Sequence, residues 1–227
     1  ILELMKTHSF IRIAEVKKNI GYGFGIWSGL KEAKGEFICW THADMQTDLK
    51  DTIKAYRIIT TQPDAKNCFV KGERHGRPLF DQAFTTFMSW FETLYLGTLL
   101  HDINAQPNMF HRAFFEKFKQ LPNDFSFDLC VLYLAKRTGL TLVRFPVLFT
   151  KRIHGESHWN TGIKSKFKFI KRTLDFSFKL DAQLKEQGYP KQGFFRKYFG
   201  LAKEFAHIPF IKFCFFGGIS TLINYGV

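Results

Sequence analysis

His42, Asp44 and Gln46 alternate directly after the apolar run Glu36-Phe37-Ile38-Cys39-Trp40-Thr41, and their types suit the binding of one divalent ion. The run reads as a buried strand, and the carboxyl end of a strand is where open α/β sheets place their ligands. Asp44 offers a carboxylate, Gln46 a carbonyl oxygen and His42 a ring nitrogen, which suits Mg²⁺ or, through the nitrogen, Mn²⁺. An ion held there offsets phosphate charge and eases the departure of a diphosphate. A plainer reading of the same residues stands beside this one. Thr47 or Asp48 caps the next helix, and His42 and Asp44 lie in a polar loop.

The elements that must position this cluster follow from apolar spacing and glycines. Phe10 to Val16 reads as a strand, Asn19 to Gly25 as a glycine-rich turn, and Ile26 to Ala33 as a short helix ended by Gly35. After the strand Glu36 to Thr41, a helix is expected over Asp48 to Thr60 from Leu49, Ile53, Ala55, Tyr56 and Ile59, then a strand over Asn67 to Lys71. This alternation defines a parallel α/β unit. Further on, Leu79 to Leu100 is a long apolar helix, suited to a core or to a membrane interface. Helices are expected over Phe110 to Phe118 and Phe127 to Thr138, a strand over Thr141 to Val147, a polar loop over Phe149 to Trp159, and a basic helix over Lys164 to Gln187.

Gly21 and Gly23 open a helix whose amino end can receive phosphate, so both are substrate-binding candidates. The same glycines equally serve a loop that passes close to other backbone. The pattern Gly23-Phe24-Gly25-Ile26-Trp27-Ser28 lacks the last glycine of a dinucleotide fingerprint, and no P-loop lysine follows it.

The chain of 227 residues is long enough for one good core, and it is rich in Phe, with 28. A formal net charge of +13 suits nucleic acid or an anionic membrane surface. No zinc finger or aromatic RNA-binding motif is present, so the expected partner is membrane lipid and not nucleic acid. Cys39, Cys68, Cys130 and Cys214 are far apart, in no metal-binding spacing, and read as buried thiols in a reducing compartment. Ile208 to Val227 carries only Lys212 and has the length of a membrane span, with a buried helix as the plainer alternative. The basic stretch Lys151 to Arg172 before it fits the cytoplasmic side of a bilayer, and equally a solvated charged helix. The chain begins with Ile, in what reads as the end of a helix, so part of the fold is expected to precede it.

Asn19-Ile20-Gly21-Tyr22-Gly23, Gly29-Leu30-Lys31-Glu32-Ala33-Lys34-Gly35 and His42-Ala43-Asp44-Met45-Gln46, in this order, resemble the family 2 glycosyltransferases, most closely the dolichol- and polyprenyl-phosphate hexosyltransferase branch. The resemblance runs over most of Asn19 to Trp159. It implies an α/β, GT-A-like, mostly parallel sheet flanked by helices, with amino-terminal strands missing. Amphipathic and membrane-associated helices would follow. His42 falls where the family's first metal-site Asp lies, Asp44 matches the second, and Gln46 a following metal-site residue. Asp102 matches an acceptor-side Asp, and Asn104-Ala105-Gln106-Pro107 reads as a subgroup form of that loop, with Gln106 a substrate-binding candidate. Where the branch often has Arg, this chain has Asn108. Arg74 resembles an arginine near the substrate pocket. Arg152-Ile153-His154-Gly155-Glu156-Ser157-His158 resembles the Arg-x-x-Gly-x-Ser loop through Arg152, Gly155 and Ser157, with His154 beside them. Phe210 to Asn224 resembles the start of a GtrA-like membrane domain.

The implied organisation is a partial transferase domain over 1–160, juxtamembrane helices over 161–207 and a first transmembrane helix over 208–227. The implied activity is metal-assisted transfer of a hexosyl group, with inversion, from a nucleotide-diphosphate sugar to a polyprenyl phosphate. Asp44, Asp102 and Arg152 would be its catalytic residues. Two other readings stay open: a transferase acting on a glycan or polymer hydroxyl, and a non-catalytic, phosphate-binding membrane protein.

Overall fold

A computed structural model describes residues 1–44, 46–118, 121–150, 171, 173–180, 182 and 186. The short helix α1 (Leu2–Thr7) buries no residue. The chain then builds α2 (Tyr22–Glu32), β1 (Phe37–Trp40), α3 (Lys50–Thr60), β2 (Cys68–His75), α4 (Leu79–Leu96), β3 (Asn108–His111), α5 (Arg112–Phe115), α6 (Ser126–Arg137) and β4 (Thr141–Leu148).

The sheet order is β1-β3-β2-β4. β2 and β4 pair in parallel, while β3 runs antiparallel to both β1 and β2. Three of the four strands therefore share one direction, as a mostly parallel sheet requires, and β3 is the reversed strand between them. Period-two alternation sends successive side chains to opposite faces. Ile38, Trp40, Phe69 and Phe110 enter a large core with α2 and α6. Cys68, Val70, Met109, Phe145 and Val147 enter a smaller core with Ala55 and Ile59 of α3.

The phenylalanines account for much of the larger core. Phe69 stacks on Phe110 at 5.5 Å between ring centroids, and Phe110 meets Phe114 edge-on at 5.1 Å. Trp40 packs edge-on against both Phe110 and Phe127. Each fully buried ring contributes roughly 1.5–3 kcal/mol through apolar area removed from water. Asp48 Oδ1 accepts a hydrogen bond from the Lys50 N–H at 2.8 Å, at the entry to α3, whose N-cap residue is Leu49.

Three expected elements differ. α2 begins at Tyr22 and not at Ile26, so Gly23 and Gly25 lie in the helix and only Gly21 stays in the turn, as its N-cap. Residues 11–16 form no strand: Phe10 and Ile13 are exposed, and no described strand lies alongside to pair with this backbone. The helix expected over Phe110 to Phe118 is instead β3, followed by the four-residue α5. Phe110, Phe114 and Phe118 have helical spacing, but Phe110 lies on β3 between two strands that supply ladder partners. Arg112 fixes the junction by donating to the carbonyls of Ala33 (2.6 Å) and Gly35 (2.7 Å), at the end of α2.

Candidate active site

The carboxyl ends of β1, β2 and β4 and the amino end of reversed β3 lie along one edge of the sheet, because Trp40 and Lys71 both face Asn108 in register. The His42–Gln46 loop, the 101–107 loop, Arg74 and Phe149 therefore gather at that edge.

Arg74 and Asp102 form its charged centre. The Arg74 backbone N–H donates to Asp102 Oδ2 at 2.7 Å, and its Nε donates to Oδ1 at 2.8 Å. A further guanidinium nitrogen also donates to Oδ1, and Arg77 lies 3.7 Å from the same oxygen. Asp102 is buried and has a φ of 40°, a conformation in which Asp is tolerated and which these bonds hold. Burial alone would raise its pKa. The charge and hydrogen bonds of Arg74, with help from Arg77, outweigh that and hold the carboxyl below its ordinary value. Asp102 is thus a carboxylate with both oxygens occupied.

A second hub was not recognised from the sequence. Asp128, in the first turn of α6, is 2 % exposed. It accepts from Tyr22 OH (2.9 Å), Trp40 Nε1 (3.3 Å) and Asn104 Nδ2 (3.4 Å). Gln106 Nε2 donates to the Tyr22 oxygen at 2.5 Å. One carboxylate therefore ties the glycine turn, the end of β1 and the 101–107 loop together. Burial, then the charge of Asp128, pushes the Tyr22 phenol well above its usual pKa. The sequence signal was available: Asp128 is a single acid between Phe127 and Leu129, in a helix that reads as apolar.

In the sequence Lys71 groups with Arg74 and Arg77 as a basic set, with a solvated loop as the plain alternative. The structure corrects that alternative: Lys71 is wholly buried within β2. It donates to the Ala105 carbonyl (2.6 Å) and to Asn108 Oδ1 (2.7 Å). Asn108, where the resembled branch often has Arg, is thus the cross-strand partner of a cation on β2.

At the end of β1, Asp44 Oδ1 accepts from the Gln46 N–H at 3.3 Å. Gln46 is tied to the exit of β4: its Nε2 donates to the Thr150 carbonyl, and its own carbonyl accepts from the Thr150 N–H at 2.8 Å. Phe149 lies between the two halves of the site, with His42 edge-on at 5.6 Å and the Arg74 guanidinium over its ring at 5.3 Å. Burial lowers the His42 pKa, against the opposing charges of Asp44 and Asp128, so the ring is neutral near pH 7. Among the described residues its buried Nε2 has no hydrogen-bond partner.

Among the described residues, no group of three or more His, Cys, Asp or Glu side chains is arranged to hold a metal ion. The residues present fit a lighter hold. Asp44 supplies a hard oxygen, a neutral imidazole with an unsatisfied nitrogen stands nearby, and phosphate oxygens complete such a shell.

The glycines of the turn are explained by packing. A Cβ at Gly21 would overlap the Asn123 carbonyl oxygen, and one at Gly23 would overlap that of Pro122. Gly21 also has a φ of 143°. The close-backbone reading of these glycines therefore holds, and a phosphate role for them remains an expectation. Arg152, His154, Gly155 and Ser157 lie outside the described residues.

No family model matches the chain, and no curated protein matches it. Among solved structures it is similar to glucosyl-3-phosphoglycerate synthase from Mycobacterium tuberculosis, determined in complex with uridine diphosphate. The TM-score is 0.51 at 13% sequence identity, over 70% of this chain and 55% of that one. The chain thus spans about half the length of that enzyme. The fold is a GT-A-like glycosyltransferase fold.

Proposed function

We propose that this protein is a metal-assisted, inverting glycosyltransferase that moves a hexosyl group from a nucleotide-diphosphate sugar to a polyprenyl phosphate, on the cytoplasmic side of a membrane. The observation that carries the acceptor class is the state of Asp102. A hydroxyl acceptor calls for a general base, and a carboxylate clamped by Arg74, beside Arg77 and with a lowered pKa, is a poor one. A phosphate oxygen arrives already anionic, and the work left to the protein is orientation and electrostatic stabilisation.

Asp102 then acts as a positioning group that aims Arg74. Asp44 would hold Mg²⁺ or Mn²⁺, with His42 and Gln46 as neighbours. The ion, when bound, offsets charge on the diphosphate leaving group. Arg152, with His154, Gly155 and Ser157, enters on sequence alone as a loop that grips phosphate through charge-assisted bonds. Membrane lipid as a partner is supported by α4, where Leu79, Phe87, Trp90 and Leu94 are exposed at helical spacing, and by the net charge of +13. Among the described residues no helix is long and apolar enough to cross a membrane, and the candidate span over 208–227 lies outside them.

The test is transfer from UDP- or GDP-hexoses to undecaprenyl or dolichyl phosphate, in detergent, with Mn²⁺ or Mg²⁺. The expected product is a glycosyl phospholipid of inverted anomeric configuration. Its formation should fall by ~100-fold or more on Asp44→Ala and on chelation. Turnover indifferent to both would remove the metal role, and glycosylation of a glycan hydroxyl alone would replace the acceptor.

A further inference from the structure

Lysine is costly inside a sheet unless its amine is matched. Lys71 is enclosed on the central strand β2, and its amine reaches the carbonyl of Ala105 and the side chain of Asn108. Asn108 Nδ2 donates to the same Ala105 carbonyl at 3.2 Å, which closes a triangle across β2, β3 and the preceding loop. One residue on, the Gly72 N–H donates to the Pro107 carbonyl at 2.9 Å, and a Cβ at Gly72 would overlap the Gln106 carbonyl. Two residues further, Arg74 grips Asp102. β2 thus holds the loop from Asp102 to Pro107 at successive points.

We propose that Lys71 is the positioning residue of this loop: its amine anchors Ala105, and thereby sets where Asp102 and Gln106 stand. The kinetic part of this inference rests on the transferase reading; the structural part does not.

Lys71 gives the loop a sensitivity that an apolar residue would not. Burial brings the amine down to about 7. Asp128 on α6 and Asp102 in the loop oppose that, Arg144 on β4 and Arg74 on β2 reinforce it, and His42 faces it from the end of β1. Opening the loop to solvent restores an amine that titrates near 10.5, so the open form binds more protons between these values. Closure is therefore weakest below about 7 and strengthens as the pH rises through it.

Hydrogen–deuterium exchange of the whole chain tests this directly. After correction for intrinsic rates, the amides of 102–108 should be roughly tenfold better protected at about pH 8 than at about pH 6. Lys71→Met should lose protection in the loop and lose the pH response. Lys71→Gln keeps a neutral donor in case the Met variant fails to fold, and should also lose the pH response. If transfer is detected, kcat/KM should carry a limb near neutral pH that Lys71→Gln abolishes. A wild-type loop equally protected at both pH values, or a Lys71→Gln loop that keeps the response, overturns the proposal. Responsive exchange with no sugar transfer by any protein upholds the positioning role and removes only the transferase reading.

Discussion

Asp102 sits under two largely buried guanidiniums, so removing its charge strands both of them. Asp102→Asn should cost about 3–5 kcal/mol in urea unfolding at neutral pH, because an uncompensated buried cation is worse than no pair at all. Its folded pKa is depressed, so its contribution is present above the unfolded value near 3.8 and is lost as the pH falls through the lower folded value. Glu92 behaves in the opposite way. It is wholly buried on α4, with Ser177 Oγ donating to one oxygen at 2.6 Å and, among the described residues, no partner on the other. Burial pushes its pKa up to about 7, only partly offset by Ser177. The ionised form is penalised: there is no cost below about 4.5 and the full cost above about 7. Glu92→Gln should therefore stabilise the protein by roughly 3 kcal/mol at about pH 8 and by almost nothing at about pH 4. Thermal unfolding at the two pH values separates this from a uniform packing effect.

Among the elements, α2 shows what its glycines do. Gly23 faces the carbonyl of Pro122, and a methyl group there would lie 2.8 Å from the Asp124 carbonyl oxygen and 2.9 Å from Phe127 Cβ. A Cβ at Gly25, by contrast, meets nothing within 4 Å. Gly23→Ala should cost more than about 2 kcal/mol by forcing apart α2 and the start of α6. Gly25→Ala should gain about 0.5–1 kcal/mol from helix propensity and a less free unfolded chain. Denaturant midpoints of the pair read this directly. The longer helices were legible because they carry an apolar face with helical spacing, as with Ala55 and Ile59 of α3. β3 was not legible. Four residues are too short to show alternation, and Phe110, Phe114 and Phe118 imitate a helix face. At the site, Asp44, Asp102 and Arg74 stood out as polar residues at the ends of apolar runs. Lys71 read only as one of a basic group and Asp128 as one residue of an apolar helix, because what makes them notable is the partners that the fold brings from distant segments.

For the whole molecule, charge and the exposed stripe of α4 set a test of the membrane proposal. Phe87 and Trp90 are 56% and 68% exposed, so Phe87→Asp with Trp90→Asp should leave stability within about 0.5 kcal/mol. The same pair should reduce flotation with vesicles that contain anionic lipid, most clearly at low salt. Unchanged flotation would place the contact elsewhere. The order β1-β3-β2-β4 also governs how the chain is made. During synthesis β1 and β2 emerge before β3, yet neither pairs with the other, because Met109 and Phe110 of β3 must first lie between Ile38–Cys39 and Phe69–Val70. Until residue 111 has left the ribosome, two apolar strands wait with open edges, the state most prone to wrong pairing. A nascent chain arrested before β3 should therefore recruit chaperones and resist folding, and one arrested after β4 should be the first to acquire protease protection in the sheet.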